Sequence, residues 1–475
     1  MNWCQRSWIF LIALFLLTAA LYFPSLAYPW LEIEDGDYYL RNPLFSDLPL
    51  SSRLIAAWTH APEHNWMPGT WTLGILVHEL VGFNAWVFRA TSLILHLGNS
   101  YLLFRLFQRL NPSQPLAVGL AAIFFALHPT QIECVVWISS MKGLLSTAFA
   151  LISLQCFLSH KPKRTWGSLA FGAALLCKQD VVALPFILAV LSLLVGQKQK
   201  LVSYISLGLM SCVAAAMTML GNRGNVSPAT PEGALALIAR PFCALGNYLS
   251  HWLFPVGLYP EYRFEAHAHW LNGILGATGI LLVAGLVILC LKRRENTYLL
   301  LLAGSSATLL ALAPVLGLLP SPLEFASDRL SYFASVFMAM VVGVIAAQLL
   351  RNEKMQLGGM FLLALVFAGL SWHQLKAWQN DETLCRYIIA QDQFHYLAGA
   401  NLALIHARAG DFHQAEPLLR NVVAAHPKRA RASVELVKVL RVQGKKQEAD
   451  RILEQALQWH PHDASLLGLR LVEGP

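Results

Sequence analysis

Charge is scarce in this chain of 475 residues: 13% of it is Asp, Glu, Lys or Arg, against 56% hydrophobic. At this length the chain could hold several domains, but with a mean hydropathy of +0.50 that balance predicts a polytopic membrane protein instead. The eight cysteines form no C-x-x-C pair and no regular framework. Neither a disulfide scaffold nor a zinc site is indicated, and Cys156, Cys212 and Cys290, inside apolar runs, read as small hydrophobes. A glycine-rich phosphate loop and a nucleophile elbow are both missing. No A-x-A-like cleavage site follows the first apolar run, because Phe23-Pro24-Ser25-Leu26-Ala27 is a poor match, so that run reads as a retained helix. Membrane lipids are expected as partners, and nucleic acid is not.

The first run spans roughly 8–23. Others fall near 84–108, 115–128, 143–159, 165–177, 180–196, 201–220, 267–291, 297–319, 329–350 and 355–372, which predicts about eleven spans, some of them short. Counted in order, the basic groups all fall on one side: Arg6, Arg105/Arg109, Lys161/Lys163/Arg164, Lys198/Lys200, Lys292-Arg293-Arg294 and Arg351/Lys354. The positive-inside rule makes that side the cytoplasm. The opposite face receives the 24–83 loop, His128-Pro129, Lys178, the 221–266 segment, Asp328-Arg329 and the C-terminal tail. Within the first loop, Glu63–Trp71 followed by Leu73–Gly82 reads as an interfacial helix with tryptophans at the headgroup level. His60 and His64 lack regular ligand spacing and are a weak metal signal.

The tail repeats itself. Gly410 recurs at Gly444, Ala415 at Ala449, Leu419 at Leu453, and His426-Pro427 at His460-Pro461. Each offset is 34 residues, the period of tetratricopeptide repeats, in which a helix pair crosses at small residues and a proline ends the second helix. Two repeats are expected, about 394–427 and 428–461, with Ala464–Val472 as a capping helix. They read equally well as a docking platform or as a spacer.

Chemistry-bearing residues collect on the non-cytoplasmic face. Glu34-Asp35-Gly36-Asp37 follows the first span almost at once. Lys178, with Asp180 beside it, stands between two apolar stretches, where a charge is costly and usually paired or functional; a snorkelling lysine is the plainer reading. Asp328-Arg329 fits either a site or a helix-capping ion pair. His128-Pro129 with Glu133 fits a site or a helix break. Glu34, Asp35 and Asp37 fit a site or ordinary solvated loop charges. Moving a sugar from a lipid phosphate to a hydroxyl needs a carboxylate for the acceptor proton, cations for the departing phosphate and an apolar groove. Glu34 and Asp35 offer the first. Lys178 and Arg329 offer the second, with Arg41, Arg53 and Arg89 in reserve.

Five segments, in order, resemble one family: bacterial multispanning glycosyltransferases with C-terminal tetratricopeptide repeats. These are related to animal transmembrane-and-tetratricopeptide O-mannosyltransferases and, more distantly, to protein O-mannosyltransferases of the GT-C superfamily. Glu34-Asp35 stands at the family's paired acids and Asn42-Pro43 at its Asn-Pro. Ala126–Trp137 resembles the second external loop, Leu176–Asp180 the short lysine-containing segment, and Asp328-Arg329-Leu330-Ser331-Tyr332 the Asp-Arg-x-x-Tyr motif. Trp378–Asp381 then leads into the repeats. The departures are a glutamate as first acid, Gln179 in place of proline, and Met141-Lys142-Gly143 where the family carries Arg-Lys-Asp or Arg-x-Asp.

The resemblance implies an all-α fold: a GT-C-type transmembrane domain over 1–372, with external loops 24–83 and 221–266, followed by a repeat domain over 373–475. It implies a plasma (inner) membrane transferase with its N-terminus cytoplasmic and its repeats periplasmic or extracellular. Asp35 would be the general base, with Glu34 beside it, and the donor a polyprenyl-phosphate sugar. The acceptor would be a protein Ser/Thr or a glycan, held by the repeats. Lys178, Asp328, Arg329, His128, Glu133, Asp37 and Asn42 would bind substrate. No resident cofactor is implied, and the closest relatives require no metal, although a divalent ion is left open. The alternative is an inactive scaffold of the same fold presenting its repeats; a transporter is disfavoured, because the charges cluster at one face and no pseudo-repeat is visible among the spans.

Overall fold

The computed structural model describes residues 3–62, 66–194, 196–197, 199–221, 234–262, 270–293, 295–317, 326–350 and 352–471. Glu63, His64, Lys198, Arg294, Arg351 and Val472, all named in the sequence reading, lie outside these, as do 222–233 and 263–269 of the expected 221–266 segment. The described chain is helical, and its one extended pairing is an isolated bridge between Tyr262 and Ala326. It forms two compact units, Met1–Trp30 with Glu34–Leu375, and Leu31–Ile33 with Lys376–Pro475.

In the first unit every apolar run has become a helix: Trp3–Tyr22, Ala85–Leu110, Pro115–Leu127, Met141–Phe157, Arg164–Cys177, Leu184–Leu194, Leu201–Gly221, Trp270–Arg293, Asn296–Leu312, Tyr332–Leu349 and Glu353–Leu375. Among the described residues, six segments are long and apolar enough to cross a bilayer. They are Ser7–Ala27, Ile138–Phe157, Trp270–Arg293, Asn296–Val315, Asp328–Leu349 and Lys354–Trp378. A seventh arises if the pair Pro115–Leu127 and Pro129–Val136, bent by 47°, counts as one span. Where about eleven spans were expected, the rest fall out for different reasons. Ala85–Leu110 has 26 residues but is interrupted by Arg89, His96, Asn99 and Arg105, whereas Leu184–Leu194 has 11 residues, about 16 Å at 1.5 Å per residue, against a hydrocarbon core of about 30 Å. The chain is built as a multi-pass membrane protein.

The bend has a local cause. A residue preceding proline is pushed out of the helical region, and His128, before Pro129, is extended at ψ 135. Its ring accepts the Thr130 amide at 3.3 Å, which starts the next turn.

Close approach of backbones organises the packing. A Cβ on Gly246 would lie 1.7 Å from the Asn272 carbonyl oxygen, and one on Gly276 would lie 2.1 Å from that of Phe242. Only glycines let Ala234–Leu253 and Trp270–Arg293 meet this closely, as small residues do between membrane helices. Ala234–Leu253 falls inside the expected external segment and was not anticipated as a helix; Arg240 and an internal Pro241 interrupt its apolar pattern.

Opposite ends of the helices are chemically distinct. At one end Arg109 donates to the Gln155 carbonyl at 2.8 Å and the Lys163 amide to that of Cys156 at 3.0 Å. Arg105, Lys161 and Arg164 belong to the same turns. At the other end lie the acids after the first helix and the turns that start Met141–Phe157 and Tyr332–Leu349.

The second unit carries the tetratricopeptide helices Tyr396–Arg408, Phe412–Ala425, Ala430–Val442 and Lys446–Trp459, preceded by Asp381–Gln391 and capped by Ala464–Leu471. The repeat is legible atom by atom. Gly410 and Gly444 turn each helix pair at φ +79° and +78°, a conformation that favours glycine. Ala415, Leu419, Ala449 and Leu453 form the shared core. His426 Nε2 contacts the Phe394 carbonyl at 2.8 Å, and His460 Nε2 contacts that of Lys428 at 2.7 Å, the same bond one repeat later. Within this unit the Glu32 amide donates to Asp381 Oδ1 at 2.9 Å. Burial pushes the Asp381 carboxyl up, while the Glu32 and Ile33 amides pull it back.

Candidate functional site

The first helix ends at Tyr22, and a single turn, Phe23–Ala27, leads into the acidic loop. Arg89, buried in helix Ala85–Leu110, holds this loop from below. Its guanidinium donates to the carbonyls of Tyr28, Pro29 and Val136, so two separate backbone stretches are tied to one side chain. Asp35 is fully buried, at 0% exposure. Both the backbone amide and the hydroxyl of Ser139 donate to its Oδ1, the amide at 2.9 Å. Two donors on one oxygen fix the carboxylate's orientation.

Its neighbour Glu34 is different in kind. The backbone is left-handed at φ 61, uncommon for a residue with a Cβ, and such strain gathers at functional sites. The Glu34 side chain is 24% exposed, and its Oε1 lies 3.5 Å from Arg329 Nη2.

Arg329 is the hub. It sits in the single helical turn Asp328–Ser331 that starts Tyr332–Leu349, with a side chain only 6% exposed. Nη1 donates to Glu133 Oε1 at 2.9 Å, and its own amide donates to Glu133 Oε2 at 3.2 Å. Nη2 also lies 3.5 Å from Glu261 Oε1. The Trp137 ring carries the guanidinium at 4.7 Å from its centroid, a cation–π contact. Ser327 Oγ donates to Glu133 Oε1 at 2.8 Å. Arg329 is thus faced by three carboxylates and one aromatic plane.

Asp328 turns the other way. Oδ1 is 2.9 Å from His251 Nδ1, and Oδ2 accepts the Tyr262 hydroxyl at 2.8 Å. Burial, reinforced by Asp328 and Glu133, pushes the Tyr262 phenol well above its ordinary range, so it stays a donor. The dipeptides Glu261-Tyr262 and Asp328-Arg329 therefore clasp each other through two side-chain contacts, beside the Tyr262 amide bonded to the Ala326 carbonyl at 2.9 Å.

Lys178 follows helix Arg164–Cys177 and pairs with Asp180 at 2.8 Å. Ser146 Oγ donates to its carbonyl. A Cβ on Gly143 would lie 3.8 Å from its ammonium. The buried Cys134 thiol donates to the Arg329 carbonyl at 3.6 Å.

Glu34, Glu133 and Arg329 are brought into contact, with Asp328 adjoining through its own partners; Asp35 follows Glu34 and is held by Ser139, and Lys178 pairs with Asp180. Asp37 and Asn42 have local partners instead, and His128 is bonded beside His251. Asp37 forms an exposed ion pair with Arg41 at 2.7 Å. Asn42 is buried and caps Pro43–Phe45 by accepting the Leu44 amide. His128 is buried with both ring nitrogens engaged, by Thr130 and by the Trp252 carbonyl. Of the reserve cations, Arg53 pairs with Glu79. Five participants were absent from the sequence reading: Ser139, His251, Glu261, Tyr262 and Ser327. His251 carried the one available signal, a titratable ring in the apolar stretch Tyr248–Phe254. Among the described residues no group of three His, Cys, Asp or Glu side chains is arranged to hold a metal ion.

Comparison with known proteins adds two findings. Residues 406–470 match the tetratricopeptide repeat family. Over 154 residues, 30% of this chain, the sequence is 27% identical to Protein O-mannosyl-transferase TMTC2 of Homo sapiens, and to the same extent to that of Mus musculus. The matched stretch spans 18% of the length of each of these relatives, so the likeness is partial on both sides.

Proposed function

We propose that this chain is a membrane glycosyltransferase of GT-C type that moves a sugar from a polyprenyl-phosphate donor to a hydroxyl of an extracytoplasmic protein or glycan. The observation that carries the reading is the cluster of Glu34, Glu133 and Glu261 around Arg329, next in sequence to the fixed carboxylate of Asp35 and at the same end of the helices as Lys178. Its members come from several segments of a chain with partial likeness to a protein O-mannosyl-transferase. In this reading Asp35 takes the acceptor proton, in the orientation that Ser139 imposes. The acceptor oxygen attacks the anomeric carbon, and the bond from that carbon to the phosphate oxygen breaks with its electrons going to the phosphate. Lys178 and Arg329 face the charge that develops there. The site faces the periplasm or cell exterior, opposite the basic ends of the helices, and the repeats present the acceptor.

One observation favours a non-catalytic scaffold: Arg329 and Lys178 already have carboxylate partners, and Asp35 is sealed from solvent. Mass spectrometry of envelope proteins and glycans separates the two. A hexose- or pentose-mass modification present in wild-type cells and absent from both a deletion strain and one carrying Asp35→Asn supports transfer. An unchanged envelope in the deletion strain favours the scaffold.

A further inference from the structure

The cations that face the departing phosphate are themselves paired with carboxylates, which leaves room for a further group on the phosphate side. Arg329 is faced by Glu133, Glu34 and Glu261. Lys178 pairs with Asp180, and Arg89 is spent on three carbonyls. His251 is arranged differently. It lies in the last turn of Ala234–Leu253, and its Nδ1 contacts Asp328 Oδ1 at 2.9 Å while its side chain stays 14% exposed. The Tyr262 ring packs 4.7 Å from the imidazole, and the Tyr262 hydroxyl holds the other oxygen of Asp328. Asp328 is therefore fixed at both oxygens and in turn fixes the imidazole tautomer, with the proton on Nδ1. Nε2 makes no hydrogen bond among the described residues. A carboxylate that orients one nitrogen while the other stays available is the arrangement by which histidines transfer protons.

We propose that the Asp328–His251 pair is a second proton-handling site of this protein, which serves the phosphate side of the reaction. The inference rests on the transferase reading given above. As the bond between the anomeric carbon and the phosphate oxygen breaks, protonated His251 donates its Nε2 proton to the leaving phosphate. Asp35 meanwhile holds the proton of the acceptor hydroxyl. The donor, a phosphodiester with one negative charge, leaves as a monoprotonated monoester of the same charge; once the product has left, Asp35 releases its proton through the vacated acceptor site and the partly exposed His251 takes one from solvent. Asp328 is the positioning residue, and no further reactant is needed.

The experiment complements the deletion strain with full-length wild type, His251→Ala and His251→Asn, and follows the sugar-mass modification in the envelope with and without imidazole in the medium. Asparagine keeps a donor near Nδ1 for Asp328 but has nothing at Nε2, so it separates a structural role from a chemical one. Both variants are expected to lose about 100-fold or more of the modification, the scale of general acid catalysis, at wild-type levels in the membrane. Imidazole is expected to restore His251→Ala several-fold. Wild-type activity in His251→Asn, or no rescue of a His251→Ala protein that accumulates normally, overturns the assignment. If wild-type and deletion cells do not differ, the transferase reading itself fails and takes this one with it.

Discussion

Glu34 and Glu261 each place a carboxylate oxygen 3.5 Å from the same nitrogen, Nη2 of Arg329, and both do so from left-handed backbone, at φ 61 and 63. Two strained residues from distant parts of the chain aim at one buried cation. With Glu133 hydrogen-bonded to the other nitrogen, the site is closed around Arg329.

Removing that cation strands the acids. Arg329→Met leaves Glu133 buried and facing Asp328 and two further carboxylates, a loss expected to cost about 3–5 kcal/mol. Arg329→Lys recovers only part of it, because an ammonium cannot keep the forked geometry or the stack on Trp137. Thermal unfolding in detergent should rank wild type above lysine and lysine above methionine. A methionine variant as stable as wild type would mean that the acids are not held by Arg329.

Glu34→Gly acts in the opposite direction. Glycine adopts φ 61 without the penalty of about 1–3 kcal/mol borne by other residues, and the ion pair with Arg329 that it gives up is long and partly exposed. The melting midpoint should hold or rise while transfer falls. A joint drop in stability and transfer would show that Glu34 braces the fold.

This division between strained and packed residues also explains what the sequence alone revealed. Apolar runs and the repeat period are signals spread over many residues, so all eleven helical runs and the tetratricopeptide pairs were legible. The acids at Glu34-Asp35 and the Asp328-Arg329 pair stood out because charge is rare here. Ser139 and Tyr262 did not, since a serine and a tyrosine are unremarkable until folding brings them to Asp35 and Asp328. Helix Ala234–Leu253, and His251 with it, was hidden by Arg240 and Pro241. Asp37 and Asn42 looked like site residues only through their neighbours in sequence; their actual partners, Arg41 and the Leu44 amide, lie within four positions.

Asp35→Asn tests the base with little change in shape. Asparagine retains an oxygen to accept both Ser139 donors, so the fold should persist while transfer drops about 100- to 10,000-fold. Ser139→Ala removes the hydroxyl and leaves the amide, and a smaller loss is expected. Near-normal transfer in Asp35→Asn would move the base elsewhere.

Gly143 and Asp180 both lie beside the Lys178 ammonium. Asp180→Asn takes the counter-charge from Lys178, which is largely buried, and should lower stability by about 1–3 kcal/mol. Space beside the ammonium is open at Gly143, where a Cβ would make ordinary contact, and a carboxylate in the first turn of Met141–Phe157 is favoured by the helix dipole. Gly143→Asp should therefore rescue Asp180→Asn, with a coupling above about 0.5 kcal/mol in a double-mutant cycle. Strict additivity would mean that the two positions do not share Lys178.

The repeat unit has its own acid-sensitive joint at Glu416. Lys445 Nζ donates to both carboxylate oxygens, at 2.9 and 2.6 Å, and Arg420 donates to Oε1 at 2.7 Å. These bonds, Lys445 first, hold the carboxyl down to about 2 from an ordinary 4.5. The folded form therefore binds its proton later than the unfolded chain does. The stabilisation is fully present above the ordinary carboxylate range and disappears as pH falls from about 4.5 towards 2. Hydrogen exchange of peptides covering 412–459 in the full chain, corrected for the intrinsic rate at each pH, should show protection falling across that window. Glu416→Gln should start less protected at neutral pH and lose less on acidification. The same pH response in both proteins would place the acid sensitivity of the repeats in another group.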